Sequence, residues 1–498
     1  MLMAHHSANL IPAHLLMWQR VREYAVPPSM IESATARRAV GDWAGAFAAA
    51  RVDADLDLRA VRDRHGTELV TRLRADLRRL APDLLRWHMP RIAPDGRLRP
   101  GLTISLARYR NSGATPLHLV VRTPPAWADA GQRMSLALWE ESGTGTPRHH
   151  PHPNPDRRFR LDLHRHLWDS GRCGELAWRC GASGTPFLAP QGRPYALARP
   201  GAPDPPDRSP VRDSSWASAR WAAEAELLLR AEGRPRGAFT VRLGARSRAV
   251  LELVAPDDNH APTFQPLREA LPKQEVAALP MLPEAAARVL PDLELLRAGL
   301  VTSDRLHPLV ATALAVAGSV VTAGSAPHPS DPHRVECRGE VHRIALRDGV
   351  LTAIDHDPAQ LRREELLVAL GGPALPCLRA IDTVHRAPEA LPAIRERLGH
   401  GDVVGALNVV EGLLGPGAVL RDGPLREELE SAAARRIDHG LFRSGLVAVH
   451  PAAGVAGGGN ALGLGHAEPD HRPRLDRRTP AAMRRKRSSR ARPRTGLA

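Results

Sequence analysis

Four groups of residues in the chain have types and spacings that could do chemistry. Asp355, His356 and Asp357 set an imidazole between two carboxylates, the arrangement that orients a histidine as a general base. They are the candidate catalytic positions. No serine or cysteine nucleophile stands beside them, and Asp357–Pro358 also serves as a strand exit and helix start. His149, His150 and His152, with Asp156, His164 and His166 further on, are imidazoles of the kind that hold zinc or copper. Pro151, Pro153 and Pro155 interleave them, so they read as a His and Pro loop with no fixed geometry, and neither a metal nor a cofactor is expected. Asp53, Asp55 and Asp57 begin like a calcium loop, but Leu58 stands where Gly is required and Arg64 where a bidentate Glu belongs, which leaves a solvated acidic turn. Arg484, Arg485, Lys486 and Arg487, with Arg490, Arg492 and Arg494, would attract polyanions through weak, sequence-independent and salt-sensitive contacts. No aromatic residue interleaves them to stack on bases.

Other chemistries find no local support. Gly457 to Asn460 is glycine-rich, but no Gly-Lys-Ser or Gly-Lys-Thr follows. Gly-x-Ser-x-Gly, His-Glu-x-x-His and the kinase signatures are missing, although a site can still be assembled from distant positions. Cys173, Cys180, Cys337 and Cys377 are too few and too scattered for a disulfide framework. The gap between Cys173 and Cys180 exceeds the about two to four residues of a zinc knuckle. They are expected to be reduced and structural, which points to the cytoplasm, as does the lack of a cationic, apolar leader at the start of the sequence. The uncharged stretch from Pro308 to Pro327 is built mainly from Ala, Gly, Ser, Thr and Val, too weakly apolar for a membrane span.

The 498 residues suffice for two to four domains at about 150 residues each. Of the net charge of +15, residues 471–498 carry +10, so the rest of the chain is near neutral. The high basicity is therefore a property of the tail. Lys occurs only at Lys273 and Lys486, and the Arg-rich composition, with 46 Pro and 41 Gly, has the signature of a GC-rich genome. The stretch after about residue 443 has the composition of a disordered basic tail, or of a frame-shifted extension, and cannot bury a core.

The elements that would position these residues read as an α+β protein. Residues 10–90 form a helical region: Ser29 with Glu32 suggests a capping box, and Leu69, Leu73, Leu77, Leu80 and Leu84 make one apolar helix stripe that Pro82 would kink or end early. Residues 91–198 are β-rich, with Leu102 to Tyr109, Leu117 to Arg122 and Arg133 to Trp139 as neighbouring antiparallel strands, and Phe159 to Leu163 and Glu175 to Arg179 as additional ones. A linker at 199–214 precedes a helix plus hairpin at 215–255, and a second linker covers 256–283. Residues 284–442 are mixed and mainly helical, with helices over Glu284–Leu300, Pro308–Ala317, Ala359–Leu370 and Leu425–Ile437. Their one hairpin turns at Asp348–Gly349. The disordered basic tail occupies 443–498.

One pattern occurs twice. Gly41–Asp42–Trp43–Ala44–Gly45–Ala46 matches Gly401–Asp402–Val403–Val404–Gly405–Ala406, each ahead of apolar helix positions. In both, Gly ends one helix, Asp caps the next, and the small residues let the helices approach, which resembles the turn of tetratricopeptide-type helix pairs. Two copies do not make an array. The stretches Val26–Glu32, Gly41–Ala46 and Leu293–Leu300 resemble uncharacterised proteins of high-GC actinomycetes over about residues 10–442, a resemblance that carries no activity with it. The leading expectation is a cytoplasmic, non-catalytic protein-interaction or scaffold protein with an unknown protein partner and no membrane attachment. The alternatives are an enzyme with a site assembled from distant segments, or non-specific nucleic-acid binding through the tail.

Overall fold

The computed structural model describes residues 11–109, 116–140, 154–181, 187–188, 194–195, 215–254, 261–316 and 334–444. It is a mixed α+β structure, as the sequence leads one to expect. The described residues divide into two units, one within residues 11–126 and 134–316, the other of residues 127–133 and 334–444.

In the first unit, α1 (Ala13–Tyr24) stops ahead of Pro27–Pro28, because a residue before proline is pushed out of the helical region. Helix α2 (Pro28–Ala39) starts with Pro28 in its first turn, where the missing N–H is no loss. The expected Ser29 cap is thus corrected: Pro27 is the N-cap and Ser29 lies inside the helix. After α3 (Trp43–Ala49), strand β1 (Val52–Asp55) and α4 (Leu58–His65), the leucine stripe proves to be two helices. Leu69, Leu73 and Leu77 lie on α5 (Thr67–Arg79), and Pro82 opens α6 (Pro82–His88), which carries Leu84. The acidic turn is corrected as well. Asp53 and Asp55 belong to β1, and Asp57 caps α4 by accepting the Arg59 and Ala60 amides.

A small ladder, β2 (Arg91–Ile92) with β3 (Arg97–Leu98), leads into the main sheet. The three expected strands are β4 (Thr103–Tyr109), β5 (Leu117–Arg122) and β6 (Met134–Glu140), paired antiparallel. Strand β1 adds a parallel edge, giving the order β1-β6-β5-β4. Leu117, Leu119 and Val121 alternate into a core shared with Leu73, Leu77, Trp87 and Trp168. The two extra strands expected after β6 do not form. Phe159 and Leu161 sit in turns that plug the same core, with the Leu161 amide donating to the Ser105 carbonyl, and Leu176–Arg179 is a short helix, α7. The segment's backbone meets the β4 edge only through the Asp156 and Leu161 amides, which donate to the Thr103 and Ser105 carbonyls, and it turns inward to bury its apolar side chains instead of pairing as a strand.

Farther on, α8 (Trp221–Ala231) covers the expected hairpin, β7 (Gly237–Arg242) with β8 (Arg248–Val254). The stretch read as a second linker carries a third strand, β9 (Thr263–Pro266), and α9 (Lys273–Ala278). Trp221, Leu229, Phe239 and Val241 form a satellite core. Pro291 divides the expected Glu284–Leu300 helix into α10 (Glu284–Ala287) and α11 (Pro291–Arg297). The unit's described part ends with α12 (Pro308–Val316). Among the described residues, no helix is long and apolar enough to cross a membrane.

The second unit opens with a three-stranded meander, β10 (Arg334–Cys337), β11 (Glu340–Arg347) and β12 (Val350–Ala353). Asp348 and Gly349 have φ of 52° and 76°, the left-handed pair that a type I′ turn demands. Arg338 and Gly339, at 55° and 84°, make a second such turn that the sequence reading did not anticipate. Five helices follow: α13 (Pro358–Ala369), α14 (Pro376–Arg386), α15 (Leu391–Gly399), α16 (Val403–Leu414) and α17 (Pro424–Ser444). Ile344, Ile381, Ile394, Leu414 and Leu425 centre their core.

The repeated motif folds the same way in both units. Asp42 accepts the Gly45 amide at 2.8 Å and pairs with Arg37 at 2.9 Å, while Asp402 accepts the Gly405 amide at 3.2 Å and pairs with Arg397 at 3.0 Å. A Cβ on Gly45 or Gly405 would fall 2.1 Å from the capping carboxylate, so glycine is required there. Ala46 and Ala406 are fully buried where the two helices meet.

Candidate functional site

A cavity of about 360 Å³ lies within the first unit. Its walls come from α1, α6, β2, the turns at 159–167, α7, α8 and the α10–α11 segment. Met17, Trp18, Phe159, Leu161, Leu167 and Leu290 supply apolar surface. Seven arginines, Arg22, Arg91, Arg99, Arg160, Arg179, Arg220 and Arg288, line it together with only three glutamates, Glu224, Glu284 and Glu294.

Most of these arginines have protein counter-ions. Arg22, in the last turn of α1, is buried and donates from Nη2 to Asp292 Oδ2 at 2.7 Å and from Nη1 to the Trp87 carbonyl at 2.7 Å. Its guanidinium lies 4.3 Å from the Trp87 ring centre, a cation–π contact, and Trp87 Nε1 donates to the second Asp292 oxygen at 3.0 Å. Arg179 grips Glu224 with two bonds, Nε to Oε1 at 2.9 Å and Nη2 to Oε2 at 2.8 Å. Glu224 is also 3.2 Å from His164 Nε2, and the other nitrogen of that ring faces the Arg160 carbonyl at 3.2 Å. Burial works to raise the Glu224 carboxyl, but the Arg179 charge and the His164 hydrogen bond overcome it and hold the group well below the usual carboxylate range. Arg160 is bound to Asp162 and Glu232, and Glu284 to Arg158.

Arg91 is different. It is buried on β2, and its Nη2 donates to the Arg86 carbonyl at 2.6 Å. Its Nε and Nη1 have no acceptor among the described residues. Burial pushes it down to about 9, and the Arg22 charge acts in the same direction. No carboxylate offsets these effects. Arg220, also on the wall, has an unpartnered Nε, and burial lowers it, opposed by the Glu224 charge.

Two further imidazoles, His88 and His166, line the cavity. His88 Nδ1 faces the Leu84 and Leu167 carbonyls at 3.2 and 3.1 Å, so Nδ1 carries the proton and Nε2 is a bare acceptor. Burial lowers its pKa to about 4. Burial, followed by the Arg179 charge, also holds His166 well below its ordinary value. Both rings are neutral at pH 7.

The residues singled out from sequence lie elsewhere. Asp355 accepts from the Arg343 backbone at 3.0 Å and from its guanidinium at 3.2 Å. The Asp357 carboxylate caps α13 through the Ala359 amide at 3.1 Å. His356 is buried beside Cys337 and Cys377, so the three neighbours in sequence do not form one constellation. His149, His150 and His152 lie outside the described residues, as do Arg484, Arg485, Lys486 and Arg487. Of the more distant histidines in that cluster, His164 and His166 enter the cavity wall. Sequence reasoning missed Arg22, His88, Arg91, Arg179, Arg220 and Glu224. In an Arg-rich chain an arginine carries little signal, and nothing in the sequence distinguishes Arg91 from its many exposed counterparts.

No protein-family model, curated protein or solved structure matches the chain.

Proposed function

We propose that the chain is a non-catalytic binding protein whose first unit takes a small anionic molecule, a carboxylate or phosphate ester with an apolar body, into the arginine-lined cavity. The supporting observation is Arg91, a buried cation with two unpartnered donor nitrogens and no carboxylate counter-ion. Such a group is costly unless an anion joins it. The apolar wall suits the body of the ligand, and the neutral His88 Nε2 offers an acceptor for a hydroxyl or N–H. Four free thiols support a reducing, cytoplasmic setting. The test is thermal shift and calorimetry of the full chain with inorganic phosphate, aromatic and aliphatic carboxylates, and phosphate monoesters. A rise in melting temperature that Arg91→Met abolishes is expected. No response to any of these anions, or a response unchanged in Arg91→Met, overturns the reading.

An enzymatic reading would use the same cavity, with neutral His88 and His166 as acid–base groups, and turnover of the bound anion would separate it from simple binding. A protein-interaction role draws on the C-terminal end of α13, where Leu366 and Leu367 on the helix and Leu370 at its C-cap are exposed. Sedimentation of the wild-type chain against Leu366→Gln/Leu370→Gln tests it, because loss of association in the variant supports the role and unchanged behaviour counts against it.

A further inference from the structure

The smaller apolar cluster of the second unit is built around sulfur and imidazole. Cys337 ends β10, immediately before the Arg338–Gly339 turn. Cys377 is the second residue of α14, and His356 lies in the turn that joins β12 to α13. One ligand atom from each of the three, two sulfurs and one ring nitrogen, lies within 4.8 Å of the others. The exposures are 1% for Cys337, 0% for Cys377 and 8% for His356. Ala353, Leu361 and Leu375 pack around them.

The cluster is chemically incomplete as protein alone. His356 Nε2 is buried and has no hydrogen-bond partner among the described residues. The His342 ring stacks on His356 with centroids 3.9 Å apart, and its buried Nδ1 is likewise without a partner. Orphaned imidazole nitrogens in an apolar cluster are unfavourable, and native structures rarely leave them so. Burial and the adjoining Cys337 push the Cys377 thiol up to about 12, and burial followed by the His342 charge lowers His356.

We propose that Cys337, Cys377 and His356 bind one divalent cation of the zinc class. Two thiolates and one imidazole are a ligand set zinc takes with a water in the fourth tetrahedral position, whereas calcium and magnesium require oxygen donors. Tetrahedral bonds of about 2.3 Å to sulfur and about 2.0 Å to nitrogen place neighbouring ligand atoms roughly 3.6–3.8 Å apart. The atoms already lie within 4.8 Å of one another, so contracting to that spacing takes a shift of no more than about half an ångström per atom. Two thiols release one proton each to solvent as two metal–sulfur bonds form, and no electron is transferred. Two thiolates and a neutral imidazole around a doubly charged cation carry no net charge, which suits an apolar surrounding. The cation would tie the β10–β11 hairpin to the start of α14. This inference is independent of the cavity, because all its residues belong to the second unit.

The experiment uses the full chain, purified with reductant, stripped by a chelator and titrated with cobalt and then zinc. The expected result is one equivalent of metal, the visible absorption of tetrahedral thiolate-bound cobalt, and its bleaching by zinc. Cys337→Ser and Cys377→Ser should each abolish that absorption, while His149→Ala/His150→Ala/His152→Ala should retain it. Chelation should lower the melting temperature of the wild type and leave that of the double serine variant unchanged. Should the serine variants fail to fold, the wild-type cobalt spectrum decides alone, because it reports sulfur ligation directly. A featureless spectrum, metal binding that survives in the double serine variant, loss of binding in the triple histidine variant, or a Cys337–Cys377 disulfide in protein prepared with zinc present would each overturn the proposal.

Discussion

Arg22 and Asp292, 270 positions apart in the chain, form a buried ion pair at 2.7 Å with both side chains almost completely withdrawn from solvent. The pair joins α1 to α11, and Trp87 adds a hydrogen bond to the same carboxylate. Breaking such a pair leaves a buried charge without compensation. Here the survivor would be Arg22, already beside the uncompensated Arg91. Asp292→Ala should therefore destabilise the first unit by about 3–5 kcal/mol, measured by urea denaturation of the full chain. A loss of under about 1 kcal/mol would show that the carboxylate is not holding these elements together.

The opposite sign is expected at Arg91. Replacing a poorly compensated buried cation with an apolar side chain of similar length removes a desolvation cost. Arg91→Met should raise stability by about 1–2 kcal/mol in the absence of ligand and eliminate the anion response. Stability and binding then move in opposite directions, which a purely structural arginine would not produce. A variant that loses both stability and response would identify Arg91 as a packing residue.

Acid should unfold the first unit through its buried histidines. His88 titrates at about 4 when folded and near 6.5 when unfolded. Between those values the unfolded chain binds the additional proton, so stability falls as the pH falls from 6.5 to 4. His118 acts over the same window, held at about 4 by burial followed by the Arg108 charge. A wholly buried group such as His88 accounts for roughly 2–3 kcal/mol by the lower limit. Glu224, whose folded value is depressed, adds a loss in the same direction at the acid end. Urea midpoints at pH 7.5, 6.5, 5.5 and 4.5 should decline steadily below 6.5, and His88→Gln should flatten the slope. A flat wild-type profile would place the imidazoles in contact with solvent.

What the sequence disclosed was local. The Asp348–Gly349 turn could be read because only a few residue types tolerate two consecutive left-handed positions, and strands β4 to β6 because their apolar residues alternate. Strand β1 was missed because its Asp-rich pattern mimics a turn, and its strand character comes from parallel pairing with β6. Strand β9 was missed for a related reason: Pro-flanked and at a sheet edge, it is defined by its partner β8. Both candidate sites depend on contacts between distant segments. Cys337 and Cys377 looked unrelated because 39 residues separate them, and only the β10–β11 turn and the start of α14 bring their sulfurs to His356. The imidazole itself was noticed, but it was assigned to carboxylates that instead bind Arg343 and cap α13.

The twin helix turns give a prediction in which one copy controls for the other. Gly41 and Gly401 have nearly the same left-handed φ, 78° and 82°. Alanine at either position incurs backbone strain of about 1–2 kcal/mol. Around Gly41 a new Cβ would meet nothing within 4 Å, whereas at Gly401 it would fall 2.3 Å from the Gly131 carbonyl oxygen. That neighbour is backbone and cannot swing aside. Gly41→Ala should therefore cost about 1–2 kcal/mol, and Gly401→Ala at least about 2 kcal/mol more, because the 127–133 segment must shift to relieve the overlap. Urea denaturation of the two variants in parallel is the measurement. Equal costs would mean that Gly401 does not approach Gly131 closely enough to exclude a Cβ, because strain alone cannot distinguish two turns with nearly the same φ and equivalent capping aspartates.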